Sequence, residues 1–308
     1  MTQPAPPRTA WFNGKYVPEN QVLLPFRDRS WRYGDGVFDM TRTFNGKLFR
    51  LKEHIDRMYR SLRYIRLDPG ISPSELMSIS EEIVARNEPL RAAAGDWWIG
   101  QRVSRGVDPI GEEMPEHRGP NVIVECTPLP LKARARQIRD GLTVWVPPQR
   151  RVGPDMMSPR AKTHNYLNMI VAEQSVKAHD PDGWAVLLDA NGCLAEGIGS
   201  NIFLVRNGTL YTPSERYVLP GISRQMTIDL AAKLGIPLLE GDIDLFDAET
   251  ADEMFLTSTS LCIAGVRLFN GAPVGGGHAP GPVTKRLIDS YIEEVGCDFV
   301  RQYVERAG

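Results

Sequence analysis

"SPRAKTHNYLNMIVA", Ser158 to Ala172, sets one lysine, Lys162, just ahead of an apolar run. Leu167, Ile170 and Val171 recur there at helical spacing, so the segment reads as a turn feeding a buried helix with Lys162 at its lip. A lysine in that position has two readings. It snorkels, with its stem on apolar surface and its ammonium in water. Or it is placed for chemistry, because desolvation beside an apolar element favours a neutral, nucleophilic amine.

The whole chain narrows what that chemistry serves. With 308 residues and 42% apolar side chains the chain can build two cores, and two domains are expected. Thirty-six basic side chains against 38 acidic ones give a net charge of -2, which supplies no footprint for nucleic acid or an anionic membrane. A small ligand is the better partner, and no metal site is expected. Cys126, Cys193, Cys262 and Cys297 are far apart and form no CxxC pair, which points to free thiols in a reducing cytoplasm. "MTQPAPPRTAW" has no apolar core of the kind a signal peptide carries, and no later apolar run approaches the length of a membrane span.

Periodicity places the elements. In "FRLKEHIDRMYRSLRYI", Leu51, Ile55, Met58, Leu62 and Ile65 trace one helical face; Ser72, Pro73 and Glu75 then form a capping box for a second helix buried through Leu76, Ile79 and Ile83. Two strands follow, "DWWIGQRVS" and "NVIVECT", joined by a polar loop long enough for a lid or a partner contact. "PLPLKARARQIRD" breaks both periods, so a linker is expected at 128–138 between an N-terminal domain, 1–127, and a C-terminal domain, 139–308. The second half alternates: a strand "WAVLLD", a hairpin "NIFLVRNGTLYT" with Asn207-Gly208 at its tip, a helix from Ser223 to Gly235 and another over "PVTKRLIDSYIEEV".

Three further motifs bear on Lys162. "CLAEGIGSNIFLV" sets Glu196 in a glycine-rich turn before an apolar strand, either an exposed acid or a carboxylate aimed at what the strand borders. In "LPGISRQMTIDLAAKLG", Pro220-Gly221 turns into a helix whose first free amides belong to Ile222 and Ser223; helix N-termini bind phosphate, and Ser223 is equally a plain N-cap. "FLTSTSLCIAGV" runs a strand into the hydroxyls of Thr257, Ser258, Thr259 and Ser260, and Arg57 on the polar edge of the first helix offers a cationic fork. Amine chemistry on pyridoxal phosphate needs a lysine to hold the cofactor, an acid facing the ring nitrogen, a phosphate cradle and a wall against the ring; the chain can supply all four.

Taken in order, "RYGDGVFDMTRTFNGKLFRLKEHIDRM", "AKTHNYLN", "AEGIGSNIFLV", "LPGISRQ", "FLTSTS" and "GPVTKR" resemble the fold-type IV pyridoxal-phosphate aminotransferases, which include the branched-chain, D-amino-acid and (R)-amine enzymes and aminodeoxychorismate lyase. The resemblance implies an α+β fold, with a small α/β N-terminal domain and a larger C-terminal domain around a β-barrel-like core. It implies that Lys162 carries pyridoxal 5'-phosphate, that Tyr166 bonds the cofactor's phenolic oxygen, and that Glu196 partners the ring nitrogen. Arg57, Ile222, Ser223 and Thr259 fall on phosphate positions, and Leu219 packs on the ring face. Tyr33, Phe38, Met40, Trp98, Arg105 and Ser260 fall on substrate positions.

Substrate motifs are mixed. "YGDGVF" with Arg42 resembles the branched-chain enzymes, yet Met40 stands where they have glycine, and Trp98 and Gly100 stand where they have tyrosine and arginine. "SRG", with Arg105, resembles the D-amino-acid and (R)-amine enzymes. Arg105 reads either as a movable carboxylate clamp or as a surface ion pair. The apolar lining of Phe38, Met40 and Trp97 or Trp98 favours a hydrophobic donor, with 2-oxoglutarate or pyruvate as acceptor in a two-stage cycle. A D-amino-acid or (R)-amine donor, a lyase of the aminodeoxychorismate type, and a cofactor-free binding protein are the alternatives. A homodimer is a further implication of the resemblance.

Overall fold

Antiparallel pairing organises the first of two compact units, Met1–Leu129 with Ala161–Tyr166. The structure, a computed structural model, describes residues 7–107 and 119–306. Residues 108–118, most of the loop expected to be a lid or partner contact, lie outside the described residues, as do the first six. The unit contains β1 (Thr9–Phe12), β2 (Lys15–Pro18), α1 (Arg29–Tyr33), β3 (Gly36–Phe44), β4 (Lys47–Leu48), α2 (Leu51–Tyr64), α3 (Pro73–Asn87), α4 (Arg91–Ala94), β5 (Trp97–Ser104) and β6 (Asn121–Pro128). Its six strands lie in the order β2-β1-β6-β5-β3-β4.

Strand alternation divides that sheet into two faces. Val37, Ile99, Val103, Val122 and Val124 point to one face and pack with Ile55, Met58, Leu62, Leu76 and Ile83 of α2 and α3. Truncating any of these buried aliphatics to alanine costs about 2 to 5 kcal/mol. At the start of α3 Pro73 takes the first helical position, and Ser72 Oγ accepts the Glu75 N–H at 3.2 Å. The opposite face is set by register: Phe38, Met40 and Arg42 of β3 stand across from Arg102, Gly100 and Trp98 of β5.

The second unit, Pro130–Arg160 with Leu167–Gly308, begins with a helix where composition suggests a linker. It contains α5 (Leu131–Asp140), β7 (Leu142–Trp145), α6 (Leu167–Lys177), β8 (Trp184–Leu188), β9 (Leu194–Gly197), β10 (Ser200–Arg206), β11 (Thr209–Pro213), α7 (Ile222–Lys233), β12 (Leu238–Gly241), α8 (Leu245–Glu249), β13 (Glu253–Ser258), β14 (Cys262–Phe269), β15 (Ala272–Pro273), α9 (Pro282–Val295) and α10 (Phe299–Val304). Pro128 and Pro130 precede α5 rather than interrupt it, and Leu131 and Ala135 are its buried residues among the basic ones. The boundary therefore differs from 128–138: the chain leaves the first unit at Leu129, returns for Ala161–Tyr166, and leaves again.

Six strands close on themselves. The path β10-β13-β14-β7-β8-β9 is completed by β9 pairing back to β10 through Gly197↔Ser200 and Glu196↔Asn201. The ring has a barrel-like apolar core that includes Val144, Val186, Leu188, Ile202, Leu204, Leu256 and Val266, so the chain is an α+β protein. One further expectation is corrected here. On α6 the buried residues are Met169, Ala172 and Val176, whereas Leu167, Ile170 and Val171 are exposed. The 169/172/176 stripe meets β8, and that contact selects the face.

Candidate active site

Lys162 is fixed through its backbone before its side chain does anything. Phe38 N–H donates to Lys162 O at 3.0 Å, His164 N–H to Gly36 O at 2.9 Å, and Lys162 N–H to Ser61 Oγ at 3.0 Å. Ala161–Tyr166 is thus stitched onto the start of β3 and one side of α2. The half-buried side chain reaches Tyr166, with Nζ 3.2 Å from its hydroxyl, and lies 4.6 Å from the Phe38 ring centroid. Tyr166 stands edge-on to Phe38 at 5.3 Å. Because Phe38, Met40 and Trp98 share one sheet face, the expected side-chain wall lies on one surface, beginning at the ring beneath Lys162.

Below the sheet Arg57 is buried, not on a polar edge as expected. His54, Arg57 and Ser61 lie beside the apolar stripe of α2 and widen its buried arc. The guanidinium grips Asp39 with Nε at 2.9 Å and Nη2 at 2.7 Å, and His54 Nδ1 lies 2.7 Å from the same carboxylate. Burial alone would favour a neutral Asp39, but the Arg57 charge outweighs it and holds the carboxyl well below the usual range. His54 is pushed down by burial, so it is the neutral member.

Two expected substrate residues stand elsewhere. Tyr33 is exposed at the end of α1, with the guanidinium carbons of Arg29 and Arg32 5.2 and 4.8 Å from its ring. Arg105 is tied down at all three nitrogens: Nε donates to Asp35 Oδ2 at 2.8 Å, Nη2 to Ile65 O at 2.8 Å and Nη1 to Arg66 O at 3.1 Å. Sequence reasoning missed His164, inside the "AKTHNYLN" motif. Its ring stacks on Phe38 at 5.7 Å, and its Nε2 is closed off from solvent with no partner among the described residues. Burial, with the charge of Arg102 adding to it, pushes His164 down to about 4.

In the second unit Glu196 is buried on β9. Arg151 Nε donates to its Oε1 at 2.8 Å, and Leu219 N–H to its Oε2 at 2.9 Å. Asn201 Nδ2 in turn donates to Leu219 O at 3.0 Å, and its Oδ1 occupies the space a Cβ on Gly221 would take. Gly221 is the N-cap of α7 and supplies no side chain to the helix, so the first-turn amides of Ile222 and Ser223 have no side-chain cap. Ser223 Oγ donates to Ser258 O at 3.0 Å. Thr257 Oγ1 is buried without a partner among the described residues. Ser258 and Thr259 are half-buried, while Ser260 is buried, its hydroxyl taken by Arg134 and its carbonyl by Tyr303 Oη at 2.8 Å.

These residues fit the pieces of pyridoxal phosphate one by one. An α7 N-terminus without a side-chain cap, beside an orphaned buried hydroxyl at Thr257, suits a phosphate. A buried carboxylate whose charge is matched by Arg151 suits a protonated ring nitrogen, since each oxygen keeps a further lone pair. Lys162 beside a phenol suits the covalent hold. Among the described residues no group of three His, Cys, Asp or Glu side chains could hold a metal, and no helix is long and apolar enough to cross a membrane.

Comparison with known proteins agrees with the fold. The family described as Amino-transferase class IV matches residues 36–269. A Methanocaldococcus jannaschii protein, named provisionally as a branched-chain-amino-acid aminotransferase, is 35% identical over 282 residues, 91% of this chain and 94% of its own. A D-alanine aminotransferase of Listeria monocytogenes is 31% identical over 285 residues, 92% of this chain and 94% of its own. Among solved structures, the branched-chain aminotransferase of the archaeon Thermoproteus uzoniensis with norvaline superposes with a TM-score of 0.82 at 31% identity, covering 94% of each chain. A bacterial-type branched-chain enzyme solved with pyridoxamine 5'-phosphate reaches 0.83 at 29% identity, again over 94% of each chain.

Proposed function

The chain belongs to the class IV aminotransferases and is an enzyme of that family. From that premise we propose that it moves the amino group of a hydrophobic, branched-chain-like amino acid to 2-oxoglutarate or pyruvate in a two-stage, ping-pong cycle on pyridoxal 5'-phosphate. The observation that carries this reading is the position of Lys162 Nζ, 4.6 Å from the ring of Phe38, on a face shared with Met40 and Trp98. An apolar donor side chain has a wall to lie on beside the amine that works on its Cα.

When bound, the cofactor supplies an electron sink for the pair left behind at Cα. The remaining work belongs to the chain. Lys162 Nζ takes the Cα proton and returns it, as a general base and then a general acid, with the Tyr166 hydroxyl orienting it. Glu196, kept charged by Arg151, holds the proton on the ring nitrogen. The amides of Ile222 and Ser223, with Thr259 and Arg57, hold the phosphate, and Leu219 flanks the ring. We extend the reading to a homodimer, supported by exposed apolar side chains on each unit: Leu23, Phe26 and Trp31 on the first, and Leu167, Ile170 and Val171 on the second. A cytoplasmic location is supported by four free thiols.

The test is a donor panel of L-leucine, D-alanine and (R)-1-phenylethylamine against each oxo acid. Turnover of L-leucine above the other two is expected. Preference for D-alanine would replace the donor with a D-amino acid, the second reading, which the 31% identical relative favours. Pyruvate release without an acceptor would point to lyase chemistry instead.

A further inference from the structure

The chain around β5 carries two arginines with different surroundings. Arg105, just past the strand, is anchored to Asp35 and two carbonyls. Arg102 instead lines a cavity of about 520 Å³ within the first unit, together with Trp31, Phe38, Ile123, His164 and Tyr166. Among the described residues lining that cavity it is the one cation. The cavity's other strong polar groups are spoken for: Ser30 Oγ, Ser104 Oγ and Asn121 Nδ2 all donate to Asp28, at 2.5, 2.6 and 2.7 Å. His164 is neutral near pH 7. An anion entering here therefore has Arg102 as its partner.

Arg102 is already paired, but loosely. Nε and Nη2 both point at one oxygen of Glu125, Oε1, at 2.8 and 2.7 Å, instead of straddling both oxygens as the strongest arginine-carboxylate pairs do. The two side chains are 38% and 28% exposed, so the pair can open without stranding a buried charge. The guanidinium also lies 5.3 Å from the Phe38 ring, the ring under Lys162. Gly100, across the register from Glu125, makes the arrangement possible: a Cβ there would strike the Glu125 side chain, 2.8 Å from its Cγ.

We propose that Arg102 binds the side-chain carboxylate of a dicarboxylic oxo-acid acceptor, and that Glu125 is the internal counter-charge it exchanges for that carboxylate. The inference rests on the acceptor proposed above. A transaminase meets an apolar side chain in one half-reaction and a charged one in the other. The α-carboxylate is present on every amino-acid substrate and needs no built-in substitute. A side-chain carboxylate is present on one partner only, and a displaceable counter-ion is what such a site requires. With Glu125 in place the face offers apolar surface; with a dicarboxylate present, Glu125 turns to water and the guanidinium is free to grip two oxygens.

The test uses the holoenzyme and the variants Arg102→Gln, Arg102→Lys and Glu125→Gln, with 2-oxoglutarate and pyruvate as acceptors. Arg102→Gln should raise KM for 2-oxoglutarate about tenfold or more, equivalent to ~1.4 kcal/mol, and move that for pyruvate less than about threefold. Arg102→Lys should recover part of the loss, as a point charge without the fork. Glu125→Gln should lower the 2-oxoglutarate KM relative to that of pyruvate. Calorimetric titration with glutarate, which needs no turnover, should weaken about tenfold in Arg102→Gln. Equal KM changes for the two acceptors, or unchanged glutarate binding, would overturn the proposal. Should the wild type accept neither oxo acid, the acceptor assignment fails, and glutarate binding still decides the role of Arg102.

Discussion

Arg151 donates to Glu196 at 2.8 Å where both side chains are nearly closed to water, 13% and 5% exposed. Removing one partner of such a pair is harsher than removing both, because a lone buried charge has nowhere to go. Arg151→Met is therefore expected to lower stability by about 3 kcal/mol, and the double variant with Glu196→Gln to recover most of it. Thermal denaturation of the three proteins checks this; a double variant no more stable than Arg151→Met would refute the coupling. Glu196→Gln alone should keep its cofactor and turn over slowly.

Lys162→Ala should end multi-turnover transamination, and borohydride reduction of the wild type should leave the pyridoxyl group on Lys162, read by peptide mass spectrometry. Tyr166→Phe removes the oxygen 3.2 Å from Nζ. A hydrogen bond to a charged group is worth about 1.5 to 3 kcal/mol, so the first half-reaction should slow at least about tenfold in a single-turnover experiment. Recovery of the label on a different lysine would remove Lys162 from its role.

Thr257 separates a phosphate cradle from an ordinary turn. Its buried hydroxyl lacks a partner among the described residues, which costs stability unless a ligand uses it. Thr257→Val should leave the melting temperature of the cofactor-free protein unchanged or higher, yet weaken pyridoxal phosphate binding by about 1 to 3 kcal/mol. Pyridoxal, which lacks the phosphate, should bind both proteins alike. Ser223→Ala is expected to do less, because its single hydroxyl proton goes to Ser258 O and the backbone amides remain. Equal loss of pyridoxal and pyridoxal phosphate would place Thr257 away from the phosphate.

Local signals account for what the sequence makes readable. Lys162, Glu196 and the Ile222-Ser223 turn each combine a chemical side chain with glycine, proline or a periodic apolar run, and such patterns can be read within about ten residues. Their partners come from far along the chain. Arg151 is 45 residues from Glu196, and Arg102 meets Glu125 only through the register of β5 on β6. The α5 helix is hidden because its two prolines lie at and before its N-cap, a place from which composition alone suggests a linker. On α6, two apolar stripes compete, and only the contact with β8 decides which is buried.

Arg105→Ala offers a contrast with Arg102. Burial works against the charge of Asp35, but hydrogen bonds and charge from Arg105 and Arg29 hold it below the usual carboxylate range. Losing Arg105 also frees the Ile65 and Arg66 carbonyls. A stability loss of about 1 to 2 kcal/mol is expected, discounted because the arginine is 34% exposed. KM for 2-oxoglutarate and for pyruvate should shift together. A selective rise for the dicarboxylate would return the clamp role to Arg105.

His164 should make the protein acid-sensitive within a window free of ordinary carboxylate titration. Its folded value is pushed down to about 4, against an ordinary value of 6.5, so the unfolded chain binds the proton first. The stabilisation is complete above about pH 6.5 and drains away as pH falls towards 4. Integrating from pH 7 to pH 5 gives a loss of about 2 kcal/mol from this ring. His54, also depressed by burial, has the same sign and persists in a His164 variant. Stability of His164→Gln should therefore fall less steeply between pH 7 and 5 than that of the wild type, by that amount, in denaturant titrations at each pH. Parallel slopes would mean that the ring takes up its proton inside the folded protein at little cost, and would undo the account of a neutral imidazole stacked against Phe38.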